Sequence, residues 1–90
     1  MIEYKVEFGK RAQRVLQKKL DKSQANLIMS WIKKNLVNCE DPRKYGKSLA
    51  ENHKGKWRYR IGDYRLISDI SDETITILIL EVGHRREIYD

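Results

Sequence analysis

The chain has 90 residues, enough for one small domain with a single core but too few for a two-lobed cofactor fold. Charged residues make up 36% of it and hydrophobic residues 40%, a balance typical of a folded domain with a heavily charged surface. The net charge of +6 favours a nucleic acid or, equally, an acidic protein as partner. Without a membrane-spanning stretch or signal peptide we expect a cytoplasmic protein that contacts no membrane.

The cysteine and histidine content argues against a disulfide framework and a metal site. Cys39 is the only cysteine, so it has no internal partner, and it is best interpreted as a small half-buried hydrophobe near a helix end. His53 and His84 lie far from it and from each other in the chain, which gives no metal-ligand spacing. The sequence therefore predicts neither a metal nor a small-molecule cofactor.

The first half of the chain predicts one strand followed by two helices. Alternation of apolar and charged residues at the start is typical of a half-buried strand, with apolar positions Ile2, Tyr4, Val6 and Phe8. Apolar residues at three- and four-residue spacing predict an amphipathic helix from Lys10 to Leu20. Ser23 is the expected N-cap of a second helix that runs to about Asn38. Such a helical hairpin can pack on one face of a sheet.

After a loop rich in turn signals, residues 38–55, the sequence predicts a β-hairpin. Gly62-Asp63 is a two-residue hairpin signal, because glycine accepts the positive φ that such a turn requires. The turn fixes a register in which four pairs oppose each other: Ile61 with Tyr64, Arg60 with Arg65, Tyr59 with Leu66, and Arg58 with Ile67.

The register predicts that Arg58, Arg60 and Arg65 share one face of the hairpin. Like charges set directly across a ladder destabilise a sheet, so this arrangement does not serve folding. A polyanion would supply the missing counter-charge. The alternative is an exposed polar face that happens to be basic.

The remaining sequence predicts a last strand, Thr74 to Val82, that is apolar on both faces. We expect Ile75, Ile77 and Ile79 in the helix-facing core, and Leu78, Leu80 and Val82 near the arginines. Gly83 should end this strand. Basic residues are concentrated before it, with eight of them and only two acids between Arg43 and Arg65: Arg43, Lys44, Lys47, Lys54, Lys56, Arg58, Arg60 and Arg65.

Three segments together give the chain a family resemblance: EDPRKYGKSL, WRYRIGDYRL and the closing VGHRREIY. With the strand and helix order, they closely resemble the RelE branch of the RelE/ParE superfamily of bacterial toxins. The resemblance implies a single α+β domain over residues 1–90, a small antiparallel sheet of β-α-α-β-β-β order with a helical hairpin packed on one face.

The same resemblance implies a function and partners. RelE-type toxins enter the ribosomal A site and cut mRNA there without a metal, and a cognate antitoxin encoded beside the toxin neutralises them. Operator DNA is bound only through the toxin–antitoxin complex. The expected partners of this chain are therefore the antitoxin, the ribosome and its mRNA.

Site residues carry over from the resemblance position by position. Arg58 and Arg60 stand where RelE-type toxins often have two lysines, and Arg65 matches the arginine of the third-strand Tyr-Arg motif. Arg85 matches the arginine near the chain end, and Tyr89 matches the terminal aromatic residue across a two-residue gap.

Metal-free cleavage needs proton transfer and stabilisation of the extra negative charge on the phosphate. Arginine suits the second task because its planar donors match phosphate oxygens, but it is a poor base. Histidine titrates near neutrality, so His84 is the candidate for proton transfer, with surface histidine as the alternative. The predicted catalytic residues are Arg60, Arg65, His84, Arg85 and Tyr89, and the predicted RNA-binding residues are Lys47, Lys54, Lys56, Arg58 and Arg86.

Two other classes of protein fit the same sequence. A ParE-like toxin shares the fold but inhibits DNA gyrase by binding it, and generally lacks the arginine, histidine and tyrosine set. A basic nucleic-acid-binding or co-repressor module would contact phosphates without cutting.

Overall fold

The computed structural model describes residues 2–49, 55–84 and 86. In chain order its elements are β1 (Lys5–Phe8), α1 (Lys10–Arg14), a π-helical turn (Val15–Lys19), α2 (Lys22–Asn35), β2 (Lys47–Ser48), β3 (Lys56–Ile61), β4 (Tyr64–Ser71) and β5 (Thr76–His84). Among the described residues, no helix is both long enough and apolar enough to cross a membrane.

The strands form one five-stranded sheet in the order β1-β5-β4-β3-β2. Strands β2 to β5 pair antiparallel, whereas β1 joins β5 in parallel, with Val6 opposite Ile77. The α+β class and the helical hairpin are as predicted, but the sheet is mixed rather than purely antiparallel. A short edge strand, β2, lies inside the stretch predicted to be a loop. Because β2 is only two residues long, it is too short to show the alternating pattern from which a strand is predicted.

The first helix covers the predicted segment but changes its winding halfway. After α1 the chain widens into a π-helical turn, in which the amide of Leu20 donates to the carbonyl of Val15 at 3.0 Å. Such turns, with hydrogen bonds between residues five apart, occur as single insertions in α-helices and are frequent at functional sites.

The second helix begins earlier and ends earlier than predicted. Asp21 is its N-cap, since the Asp21 carboxylate accepts from the amide of Gln24 at 2.9 Å. The prediction of Ser23 as the cap is wrong, because Ser23 lies within the first turn and its hydroxyl donates to Asp21. Beyond Asn35 the chain leaves the helix, and the amide of Asn38, at a φ of 62°, donates to the carbonyl of Tyr4.

The predicted hairpin register is confirmed at all four pairs, including Arg60 opposite Arg65 and Arg58 opposite Ile67. Gly62 has a φ of 57°, the left-handed conformation that the two-residue turn requires. The turn residues therefore decide which side chains of β3 and β4 share a face.

The predicted faces of β5 are only partly correct. Ile77 and Ile79 are fully buried as expected, but the ladder to β4 shifts after Ile79, so that Glu81 opposes Ile67. This bulge exchanges the faces of the following residues, and Val82 joins the core instead of lying near the arginines. The strand also continues through Gly83 to His84 rather than ending at the glycine.

The core lies between the sheet and the two helices. Its fully buried side chains include Ile28, Ile32 and Leu36 from α2 and its end, which pack with Tyr59 and Leu66 of the hairpin. Because this layer fills the helix-facing side of β3 and β4, the arginines are left on the opposite side of the sheet.

Candidate functional site

Four cations come together on the sheet face opposite the helices. Arg60 opposes Arg65 across β3 and β4, Lys47 of β2 opposes Arg58, and Arg58 and Arg60 are two residues apart on one strand. Directly opposed residues share a face, and so do alternate residues of a strand. We call Lys47, Arg58, Arg60 and Arg65 the arginine face.

The charges on this face act on one another. Burial and then the charges of Arg65 and Arg60 lower the pKa of Arg58. Arg60 is exposed, whereas Arg58 and Arg65 are half-buried, so part of each of these two residues is removed from water. The lowered pKa is the sign expected when like charges are brought together, and a bound anion would relieve it.

The loop before β2 approaches the face through a glycine. Gly46, Lys47, Arg58 and Arg60 line a hollow of about 220 Å³. Gly46 has a φ of 81°, and a Cβ there would lie 2.1 Å from the carbonyl oxygen of Arg58. The indole of Trp57 donates to the carbonyl of Tyr45 at 2.6 Å and fastens the loop to β3. Only glycine permits this close approach.

The hydroxyl of Tyr59 anchors the same loop from the core side by donating to the carbonyl of Pro42. Tyr59 is fully buried, and burial is the main cause that raises the pKa of its phenol. Its ring packs in the core on the helix side of the sheet, so Tyr59 supports the loop and does not present its ring to a ligand on the arginine face.

Lys56 lies at the far end of β3 and differs from the other predicted RNA-binding cations. The register pairs it with Asp69, and its Nζ lies 3.5 Å from the Asp69 carboxylate. The positive charge of Lys56 is therefore partly neutralised within the protein.

The carboxylate of Glu81, which was not predicted from the sequence, also lies on this face. The bulge in β5 places Glu81 opposite Ile67, with Gly83 opposite Arg65 two residues further along. Arg11 of α1 binds the Glu81 carboxylate at 2.6 Å. A strictly alternating strand would have turned Glu81 towards the helices, so the residue could have been identified only by anticipating the bulge.

His84 is placed at the end of β5, opposite Tyr64. Tyr64 belongs to the other face of β4 than Arg65, so the register does not bring His84 onto the arginine face. The imidazole meets the Tyr64 ring edge-on with 5.7 Å between centroids, and Nδ1 accepts from the amide of Arg86 at 3.3 Å. A neutral imidazole that accepts at Nδ1 carries its proton on Nε2 and is a donor there.

The remaining predicted residues divide into two groups. Arg86 is described and exposed, two residues beyond the end of β5. Arg85 and Tyr89, predicted as catalytic, and Lys54, predicted to bind RNA, lie outside the described residues.

In chemical terms the arginine face has the hydrogen-bond donors that an anion site requires. Planar guanidinium groups from adjacent strands can each donate two parallel hydrogen bonds to a phosphate, and Lys47 adds a point charge.

The family comparison matches nearly the whole chain. Residues 6–89 match the sequence model of a family described as the ParE toxin of type II toxin–antitoxin system, parDE. The chain therefore belongs to this toxin family, within the RelE/ParE superfamily that its three sequence segments resemble.

Known relatives and solved structures agree with that assignment. The chain is 43% identical over 49 residues to toxin RelG of Mycobacterium tuberculosis, and the match covers 54% of this chain and 56% of RelG. It thus spans about half the length of that curated relative. In the structure of the toxin–antitoxin complex RelBE2 from M. tuberculosis, a chain is 34% identical with a TM-score of 0.80, and 94% of each chain is covered.

More distant structures share the fold. A free mutant form of the E. coli toxin RelE is 21% identical with a TM-score of 0.74, covering 94% of this chain and 86% of that one. In an archaeal RelE–RelB complex from Pyrococcus horikoshii the values are 22% and 0.68, with 98% and 100% covered. The α+β fold predicted from the sequence is confirmed by these similarities.

Proposed function

We propose that this toxin is a ribosome-dependent, metal-independent endoribonuclease that cuts translated mRNA in the A site and is neutralised by a cognate antitoxin. The observation that carries the proposal is the arginine face, with Arg60 set directly opposite Arg65 and Arg58 beside them. The similar RelBE2 structure is of a toxin–antitoxin complex, which supports the antitoxin as partner. Action on translating ribosomes would take place in the cytoplasm.

The proposed reaction is an attack by the ribose 2′-oxygen on the adjacent phosphorus. The O2′–P bond forms, the P–O5′ bond breaks, and the products are a 2′,3′-cyclic phosphate and a 5′-hydroxyl. The 2′-oxygen loses a proton and the leaving 5′-oxygen gains one, while the phosphate carries extra negative charge in the transition state. Arg60 and Arg65 are assigned to that charge, because preorganised donors stabilise it without reorganisation.

Proton transfer is assigned to His84, and this role requires its side chain to change position. In its described position the imidazole lies against Tyr64 and accepts at Nδ1. To serve the arginine face, its ring has to turn around the end of β5, so that Nε2 reaches the RNA. Donation to the leaving oxygen requires the imidazolium, which gives up its Nε2 proton and becomes neutral, because a neutral imidazole is far too weak an acid for that step. Arg85 and Tyr89 are proposed to complete the site.

The decisive experiment is primer extension on a translated mRNA, with and without ribosomes, combined with analysis of the 3′ ends. We expect cuts only with ribosomes, and 3′ ends that carry a 2′,3′-cyclic phosphate. Arg65→Ala should slow cutting at least about tenfold, since one transition-state contact is lost. Lys33→Ala, which removes an exposed cation from α2, is the control and should cut at nearly the wild-type rate. Equal rates for all three proteins would refute the arginine clamp.

The same assay tests His84 through His84→Gln, which retains a hydrogen-bonding side chain but cannot change protonation. We expect slower cutting at unchanged positions in the message. Unchanged rates would remove the proton-transfer role from His84 and leave the arginine clamp in place.

A second candidate function is inhibition of DNA gyrase, and the match to a family described as the ParE toxin favours it. In that case the basic surface would bind a protein or DNA without cutting RNA. A supercoiling assay distinguishes the two. Inhibition of purified gyrase by the toxin, together with intact mRNA in primer extension, would replace the nuclease proposal.

A further inference from the structure

The proposed cleavage needs a base that removes the proton of the 2′-hydroxyl, and the arginines cannot supply one. A guanidinium has no acceptor and keeps its proton. His84 enters the reaction as the charged imidazolium, so it cannot also take the first proton. Within the described strands, three carboxylates share the sheet face of the arginines: Glu7 on β1, Asp69 on β4 and Glu81 on β5.

Of these three carboxylates, Glu81 is placed to meet a phosphate held by Arg65. Arg65 faces Gly83, and Glu81 lies two residues before Gly83 on β5. Such diagonal neighbours lie about 7–8 Å apart, within reach of long side chains. Asp69 is four residues from Arg65 along β4, about 13 Å of strand, and its carboxylate lies 3.5 Å from Nζ of Lys56.

The surroundings of Glu81 leave its carboxylate able to accept a proton. Ile67, directly opposite Glu81 and Arg58, is only 7% exposed although it lies on the sheet face away from the helices. An apolar neighbour of this kind strengthens nearby electrostatic interactions, because it excludes water. Arg11 donates to Oε1 of Glu81 at 2.6 Å, and this bond orients the carboxylate so that Oε2 can take up a proton.

We propose that Glu81 is the general base of the cleavage, an inference that rests on the proposed nuclease function. The proton of the 2′-hydroxyl passes to Oε2 of Glu81 while the O2′–P bond forms. The P–O5′ bond breaks with its electron pair moving to O5′, which takes a proton from the His84 imidazolium. Glu81 then releases its proton to water and His84 takes one up, which restores both groups.

The positions of Glu81 and His84 on β5 agree with this division of roles. The attacking and leaving oxygens of an in-line displacement lie on opposite sides of the phosphorus. Glu81 and His84 are three residues apart, about 10 Å of strand, and Gly83, which faces Arg65, lies between them. Once His84 has turned around the end of β5, base and acid approach the phosphate from two sides.

The test is Glu81→Gln, which removes the charge but retains the size of the side chain. Cutting is measured in a single turnover on ribosomes that carry mRNA, and affinity is measured on ribosomes with a message whose 2′-hydroxyls are methylated. We expect cutting to slow at least about a hundredfold, because general-base catalysis is lost. Affinity for the uncleavable message should stay equal or rise, since a negative charge near the phosphates is removed.

Glu7→Gln is the matched control, because it removes the same charge from the same sheet face, beyond Leu78 on β1. It should cut within about twofold of wild type, as expected for an exposed residue with a weak ion pair. Arg11→Gln breaks the ion pair with Glu81 and retains the carboxylate, so cutting should slow less than about fivefold. Circular dichroism checks the fold of each variant.

Two other roles of Glu81 predict different results, and either result would overturn the inference. If Glu81 only fastens α1 to β5, Arg11→Gln should slow cutting as much as Glu81→Gln does. If Glu81 only repels RNA, Glu81→Gln should cut faster than wild type. Should Glu81→Gln prove unstable, Glu81→Asp keeps a carboxylate one methylene shorter. Its rate should then lie below that of wild type and above that of Glu81→Ala, and equal rates for these two variants would contradict a base.

A message with sulfur in place of the leaving 5′-oxygen separates the base from the acid, because a thiolate leaves without needing a proton. On this substrate His84→Gln should lose most of its defect, whereas Glu81→Gln should still cut at least about a hundredfold more slowly than wild type. If sulfur removes the defect of Glu81→Gln, this residue acts at the leaving oxygen and is not the base.

Failure of this inference can be told apart from failure of the proposed nuclease. If the wild-type protein leaves translated mRNA intact, the nuclease proposal itself fails and Glu81 has no reaction to serve. If the wild type and Glu81→Gln cut equally fast while Arg65→Ala is slow, only the assignment of Glu81 fails and the arginine clamp stands.

Discussion

Asp72 is the residue through which three distant segments meet. Its carboxylate accepts from the hydroxyl of Tyr4 at 2.7 Å and from the guanidinium of Arg43 at 3.0 Å. Asp72 follows β4, Tyr4 precedes β1, and Arg43 lies in the loop that leads to Gly46 and the arginine face. The contact therefore helps to hold that loop against the sheet.

Asp72 also gives folding stability a defined dependence on pH. The hydrogen bond from Tyr4 and then that from Arg43 lower the pKa of Asp72 below its usual value of 3.8. A lowered pKa stabilises the folded protein above the unfolded-state pKa, and this contribution is lost as the pH falls through the folded-state pKa. Asp72→Asn should therefore reduce the free energy of unfolding at pH 7, and the difference from wild type should shrink as the pH falls below 3.8 and through the folded-state pKa of Asp72.

The expected loss at pH 7 is small, about 0.2–1 kcal/mol, because 61% of the Asp72 side chain is exposed. Urea unfolding at pH 7 and in acid measures it. Glu73→Gln is the control, since Glu73 is exposed in the same turn and has no ion pair within the described part of the chain. A difference for Asp72→Asn that persists unchanged in acid would contradict the assigned role.

At the residue level, the positions of the arginines could be predicted from the sequence, but the positions of their neighbours could not. Arg58, Arg60 and Arg65 could be placed because one turn fixes their register. Glu81 and His84 could not, because they follow a bulge that reverses the alternation on β5. A bulge adds one residue at a position that depends on the partner strand, and the periodicity of a single strand carries no sign of it.

Among the elements, the loop before β2 has the narrowest sequence requirement. At Gly46 both the φ of 81° and the 2.1 Å approach to the Arg58 carbonyl exclude a side chain. Gly62 also has a positive φ, 57°, but a Cβ there would meet nothing within 4 Å. A side chain at Gly62 would therefore meet backbone strain alone, whereas a side chain at Gly46 would meet both backbone strain and a steric clash.

Gly46→Ala should cost more stability than Gly62→Ala. Alanine in the left-handed conformation costs about 1–2 kcal/mol, which is the whole expected effect at Gly62. At Gly46 the clash forces the loop away from β3, and the total should reach about 3 kcal/mol or more. Chemical denaturation of both variants measures the difference. Equal losses would show that the loop adjusts without displacing β3.

The hairpin was the element that the sequence specified best, and the first strand was the least specified. The turn at Gly62 and the alternation on both strands are local signals. The parallel pairing of β1 with β5 joins residues about 70 positions apart, such as Val6 and Ile77, and no local pattern encodes it. The helix cap was misplaced by two residues because Asp21 and Ser23 are both good caps and only geometry decides between them.

Over the whole molecule, two stretches of the chain are strongly basic, residues 43–65 with an excess of six positive charges and residues 10–22 with an excess of five. Residues 10–22 contain six bases and one acid, and the sequence predicts an amphipathic helix from Lys10 to Leu20 within them. Its burial agrees with that prediction, because Ala12 is buried in the core while the cations of this segment are exposed. A helix can serve the core with one face and a polyanion with the other.

The positive charge of the toxin also predicts the charge of its antitoxin. A chain with an excess of +6 is best neutralised by a partner segment that is acidic, because complementary charge speeds association and excludes wrong partners. We expect the protein encoded by the neighbouring reading frame, when co-expressed, to restore growth and to co-purify with the tagged toxin. The association rate should fall steeply between low and high salt.

An unrelated acidic protein of similar size, expressed from the same vector, is the control for this prediction. It should leave growth arrest unchanged, because charge alone supplies attraction without the apolar anchors that give a complex its lifetime. If the neighbouring protein is produced but growth arrest persists, the expected pairing is wrong. If the acidic control rescues growth equally well, neutralisation depends on charge alone and specific recognition of this toxin is not required.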